Sequence, residues 1–162
     1  MKTKILAPLL FLLVLGLCAC ESSPSTSSIV DMAQLQTALL EADDTLPEMN
    51  SVHGGMEDAE HSFSYISTMD YDKIANYLTS FSVTGKAEEI TVIAVKDPAD
   101  LDEAAKALQD HLDYRKKLFR QYAPAEAKRL DLGQVFTKSP YAVLIITEKG
   151  DAVRDAFEAF VD

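Results

Sequence analysis

Apolar residues recur at three- and four-residue steps through DPADLDEAAKALQDHLDYRKKLFRQY, at Leu101, Ala104, Ala105, Leu108, Leu112, Leu118, Phe119 and Tyr122. That spacing lines one face of a helix, so Asp97 to Tyr122 is predicted to form one long amphipathic helix with a buried stripe. Asp97 with Pro98 behind it, or Asp100 paired with Glu103, offers the N-terminal cap. Acids crowd its start and Arg115, Lys116, Lys117 and Arg120 its end, as the helix dipole favours, and Asp102–Lys106 and Asp113–Lys117 are expected one-turn pairs.

The same periodicity, weaker, runs from Val30 through Met32, Ala33, Leu35, Leu39 and Leu40, predicting a first helix capped by Asp31 and ending near Ala42. A last helix is predicted from Ala152, Val153, Ala156, Phe157, Phe160 and Val161, with Asp151 as its cap. Between them the period changes to two. Tyr77, Thr79, Phe81 and Val83 alternate with polar neighbours, giving a strand with one apolar face, and Gly85-Lys86 turns it into a second strand, Glu89 to Val95. Gln134–Lys138 and Tyr141–Thr147 form a further hairpin across Ser139-Pro140, and YAVLIIT, apolar on both faces, belongs inside the sheet. Asp43 to Gly55 reads as loop with room for a short strand, and Lys128-Arg129 as a basic loop. In Met56 to Asp72, Phe63, Tyr65 and Ile66 suggest a short strand before a turn of helix at Asp70 to Asn76. The expected fold is α+β: a mostly antiparallel sheet of four strands or slightly more, with the long helix and two flanking helices packed on it.

The N-terminus has a different pattern. Lys2 and Lys4 precede an unbroken apolar run of 13 residues, Ile5 to Leu17, too short for a comfortable membrane span. The run ends in Leu17-Cys18-Ala19-Cys20, where a cysteine follows a small residue, the pattern of a bacterial lipoprotein signal. Residues 1–19 are therefore expected to be a signal peptide and Cys20 the lipidated first residue, since two acyl chains anchor stably where one does not. Residues 20–28, ending in ESSPSTSS, form a Ser-rich tether, and 29–162 a single domain. The expected location is the extracytoplasmic face of the cell membrane. Both cysteines lie in this leader, so cysteine catalysis and disulfides are not expected of the domain.

Charge narrows the partners. Removing Lys2 and Lys4 takes the net charge from -11 to -13, which opposes nucleic acid. Glu21 to Asp72 holds eleven acids and no Lys or Arg. The expected partners are the membrane, through Cys20, and an envelope protein or small ligand.

EITVIAVKD, the helix end HLDYRKKLFRQYAPAE and the hairpin QVFTKSPYAVLII together resemble the small bacterial lipoproteins grouped as domain of unknown function 4358, over Asp70 to Phe160. Lys116, Phe119, Tyr122 and Pro124 fit the family pattern, while His111, Arg115 and Ser139-Pro140 depart from it. The resemblance implies a cell-surface lipoprotein and carries no catalytic motif.

Several constellations carry residue types suited to chemistry. His53, Glu57, Asp58, Glu60 and His61 have zinc-type donors at a spacing that suits a solvated acidic loop better. Asp43, Asp44, Asp70 and Asp72 offer calcium oxygens without the spaced Asp loop. His53-Gly54-Gly55 resembles an oxyanion loop, yet there is no Gly-x-Ser-x-Gly elbow, and the six glycines include no phosphate cradle. His111 reads as a partly buried packing residue, the Arg115–Arg120 bases as dipole partners more than an anion grip, and Tyr114, Tyr122 and Tyr141 as core-edge tyrosines. No cofactor, metal or catalytic residue is assigned. The reading is a binding module, with a metal-dependent or serine envelope hydrolase as the alternative.

Overall fold

Every residue of strand β3 (Glu89–Val95) is buried, because it runs through the middle of a sheet covered on both faces. The structure, a computed structural model, describes residues 29–162. The expected signal peptide, Cys20 and the tether to residue 28 lie outside the described residues. Among the described residues the sheet has five strands: β1 (Met49–His53), β2 (Ile74–Ser82), β3, β4 (Gln134–Lys138) and β5 (Tyr141–Ile146), in the order β1-β2-β3-β5-β4. All neighbours are antiparallel. The fold is the expected α+β class. Its fifth strand comes from the Asp43–Gly55 segment, and β5, buried along its length, lies one strand in from an edge.

Side chains alternate across the sheet and so build two cores. On one face Tyr77, Ile93, Val95, Ala142, Leu144 and Ile146 meet helix α3 (Leu101–Tyr122), helix α2 (Ala59–Phe63) and Leu130 of helix α4 (Pro124–Leu130). On the other, Leu78, Ile90, Val92, Tyr141, Val143 and Ile145 meet helices α1 (Met32–Glu41) and α5 (Gly150–Val161). Thus β2 is buried on both faces, not one: Leu78 and Ser80 lie buried on the α1 side, while Phe81 and Val83 of the expected apolar face are partly exposed. The amide of Val30 donates to the Tyr141 hydroxyl at 3.0 Å, fixing the start of the domain beside the first residue of β5.

Several local expectations are corrected. The long helix starts at Leu101, with Pro98–Asp100 in a 3-10 turn capped by Asp97. Asp100 and Glu103 form no capping box; both carboxylates grip Lys73, at 3.0 and 2.6 Å. Lys106 pairs forward with Asp110 in place of Asp102. The buried stripe ends early, since Leu118 and Tyr122 are exposed. Phe63 lies on a helix rather than a strand: Ala59 and Phe63, four apart, present one face to the core, and the Phe63 ring packs 5.4 Å from Tyr71 and 5.2 Å from Tyr77. Tyr65 points outward. The turn of helix at Asp70–Asn76 shortens to a 3-10 turn, Tyr71–Lys73, because Ile74 already pairs with Val95. Lys128-Arg129 is helical, with Pro124 at the start of α4, where its missing N–H costs nothing. Asp151 does not cap α5; its carboxylate accepts from Gln134 Nε2 at 3.1 Å. Asp31 does cap α1, accepting from the amides of Ala33 and Gln34.

Candidate functional site

Helix α3 lies along β5, β4 and β3, and α2 covers one end of β1 and β2, so a strip of the same sheet face is left open between them. The result is a cleft of about 430 Å³, within the range of ligand pockets. Its floor comes from alternate residues of three strands: Asn50 and Val52 of β1, Thr79 and Phe81 of β2, and Glu89 of β3. One wall is His111 and Arg115 of α3, one turn apart; the other is Ser62, Tyr65 and Ile66.

The inner end of the floor is a closed polar network. Glu89, the first residue of β3, is 4% exposed, and charge at that depth needs partners. His111 Nε2 lies 3.1 and 3.2 Å from its two carboxylate oxygens, and Arg115 Nη1 donates to Oε2. The Thr91 hydroxyl donates to Oε1 at 2.7 Å, which leaves Thr79, 2.9 Å from Thr91 across the strands, to donate in turn. Because His111 Nε2 faces a carboxylate, that nitrogen carries a hydrogen. The Arg115 guanidinium also lies 5.1 Å over the Phe119 ring. Burial by itself pushes the Glu89 carboxyl up, but the His111 hydrogen bond and charge, the Arg115 charge and the Thr91 hydroxyl together hold it below the ordinary carboxylate range.

A second polar cluster sits at the other side of the β3 entrance. Arg129 reaches Glu88, Glu126 and Glu148 at 3.1, 3.3 and 2.8 Å. Glu88 is buried, and its Oε2 has no partner among the described residues.

The donors singled out for zinc do not converge. His53 Nδ1 accepts the Gly55 amide, His61 bonds the Tyr65 hydroxyl at 3.0 Å, and Glu57, Asp58 and Glu60 are exposed. The calcium candidates split: Asp43 binds the Thr45 hydroxyl and amide, Asp44 binds Lys149, and Asp70 caps its 3-10 turn. Among the described residues no group of three His, Cys, Asp or Glu is placed to hold a metal ion. Nor does any serine hydroxyl among them bond a histidine ring; Ser64 bonds the His61 carbonyl. Of the tyrosines, Tyr141 is buried on the opposite face, while Tyr114 and Tyr65 flank a smaller hollow of about 210 Å³ that shares His111 with the cleft.

A family profile described as Domain of unknown function (DUF4358) matches residues 50–147, more than half of the chain. The chain belongs to the DUF4358 family. No curated protein and no solved structure matches it. The DUF4358 match opens at Asn50 in β1 and closes at Thr147, just past β5, earlier at both ends than the expected Asp70–Phe160. It takes in every residue lining the cleft and leaves α1 and α5 outside. From the sequence, Thr79 and Phe81 are only strand-face residues and Glu89 only the start of a strand. The available signal was a glutamate opening a mostly apolar strand, with His111 and Arg115 one helical turn apart on the following helix.

Proposed function

We propose that this DUF4358 protein is a lipoprotein, anchored through acylated Cys20 on the extracytoplasmic face of the cell membrane, whose cleft binds a small ligand or a segment of another envelope component without covalent chemistry. The observation that carries this reading is the self-satisfied charge at the cleft floor. Glu89 is neutralised by Arg115 and hydrogen-bonded on both oxygens, so it is poorly suited to take a proton from a substrate. What the cleft offers a visitor is the surface of Val52, Ile66 and Phe81 with Asn50, Ser62 and Tyr65 around the rim, the mix of a recognition site. The lipoprotein part rests on the leader sequence, Leu17-Cys18-Ala19-Cys20 behind its apolar run.

A photo-crosslinking residue placed at Asn50, at the cleft mouth, and at Gln109, exposed on α3, tests the binding reading in intact cells. A discrete adduct is expected from position 50 and none from 109, and Phe81→Asp should abolish it. Adducts indifferent to Phe81→Asp would refute the cleft as the binding site. The hydrolase alternative draws on one feature, the Glu89–His111 hydrogen bond, which is how a catalytic base is oriented. It predicts an envelope hydrolase activity that His111→Gln removes while the fold is kept.

A further inference from the structure

Beside the cleft lies a strand edge that no other strand pairs with among the described residues. β1 ends the sheet, and none of its five residues is buried. The Val83 amide donates to the Glu48 carbonyl and the Gly54 amide to the Tyr77 carbonyl, so the ladder with β2 uses the backbone groups of alternate residues, Glu48, Asn50, Val52 and Gly54. The N–H and C=O groups of Met49 and Ser51 therefore point away from the sheet. Exposed edges are ordinarily guarded by lysine, proline or a bulge. The sequence MNSVH has no lysine or proline, and its pairing with β2 runs without a bulge.

The surroundings specify what would pair there. Everything from Glu21 to Asp72 carries eleven acids and no Lys or Arg, and β2 adds no charged residue. Exposed Glu48, Glu57, Asp58 and Glu60 flank β1 in sequence. Asn50 and Val52 project into the cleft, so alternate side chains of an added strand would project on the same side, toward Phe81 and Tyr65. We infer that β1 and the cleft together take an extended, positively charged peptide segment, which adds a sixth strand to the sheet and lays an apolar side chain in the cleft. This rests on the cleft-binding reading and names its class of ligand. The recognition mode is β-augmentation, with backbone pairing for affinity and the cleft for selectivity. The acidic surroundings disfavour a second copy of this chain, whose β1 would bring the same acidic flanks.

The test uses the full chain in zwitterionic micelles, with empty micelles as control, and a short capped peptide of alternating lysine and valine around one phenylalanine. Saturable binding by fluorescence anisotropy is expected, with slowed hydrogen exchange at the Met49 and Ser51 amides. The glutamate counterpart and a peptide N-methylated at alternate residues should each bind weaker by about tenfold or more. Ser51→Pro, which removes an outward N–H, should lose binding, and Ser51→Ala should keep it. If Ser51→Pro does not fold, the exchange pattern of the unaltered chain decides. Binding that ignores N-methylation and leaves the β1 amides unprotected, yet is lost in Phe81→Asp, would overturn the edge pairing while keeping the cleft. Protected β1 amides with binding indifferent to Phe81→Asp would overturn the cleft and keep the edge. No binding of any of these peptides, or a dimer that protects the same amides, overturns the proposal.

Discussion

A carboxylate sunk to 4% exposure is tolerable only while its partners stay in place, and Glu89 depends on three side chains from two elements, Thr91 of its own strand and His111 and Arg115 of α3. Removing one member of such a buried set strands the others without removing their desolvation cost. Glu89→Gln should therefore cost about 3–5 kcal/mol, read from urea unfolding, while replacing Glu89, His111 and Arg115 together by apolar residues of similar size should cost far less. The pH dependence has a definite sign. In the unfolded chain this carboxyl titrates at its ordinary 4.5, and in the fold it lies lower, so the native state resists protonation. The stabilisation is complete above that ordinary value and disappears as the pH falls through the folded one. Acid unfolding should accordingly be steeper in the wild type than in Glu89→Gln; parallel curves would mean that Glu89 is not held ionised. Asp43 shifts the same way, its Thr45 and Lys149 hydrogen bonds outweighing burial. None of this was visible residue by residue. The sequence marked His111 as a packing residue and Arg115 as a dipole partner because each explanation sufficed alone, and only the pairing of Glu89 with α3 across the fold joins them.

At the scale of elements, the segments with the strongest periodicity were legible. The stripe of Ala104, Leu108 and Leu112 and the all-apolar β5 decide their own structure, because nothing else buries so much surface. Short elements escaped. Phe63 and Tyr65 alternate like a strand, with Ile66 next, yet the buried pair is Ala59 and Phe63, and a five-residue helix gives too little period to show this. The expected loop at Lys128-Arg129 hid α4 for the same reason. That helix matters beyond its length, since it wedges the chain between α3 and β4. At Gly133, just before β4, an added Cβ would sit 2.8 Å from Leu112 Cδ1 and 3.0 Å from the Leu130 carbonyl. Gly133→Ala should thus force α4 and α3 apart and cost about 1–3 kcal/mol, seen as a lowered thermal midpoint. A midpoint at the wild-type value would show that Leu112 yields without penalty. The cleft itself follows from element lengths: α3 spans the β3–β4 side of the sheet, and α2 is too short to close the rest.

For the whole molecule, the leader makes the first claim to test. Cys20→Ser should move the protein from the membrane fraction to the soluble one without altering the melting of the domain, because α1, the first helix of the fold, is held by its own buried Met32, Leu35 and Leu39. Retention in the membrane would point to another anchor. Family membership at 50–147 covers the sheet from Asn50 and the cleft but neither α1 nor α5, so the two helices that cover the sheet face opposite the cleft lie outside the matched residues.

The hydrogen bond from Val30 to Tyr141 then acquires a directional meaning. Tyr141 pairs with Ala94 at one end of the sheet, whereas Glu89, at the foot of the cleft, pairs with Ile146 at the other. The seven residues of β3 hold these ends roughly 20 Å apart. With Cys20 acylated, the lipid pulls on the Val30 end, and residues 20–28 can add at most about 30 Å of height. The cleft, which opens from the sheet face, would then lie toward the end of the strands farther from the lipid attachment.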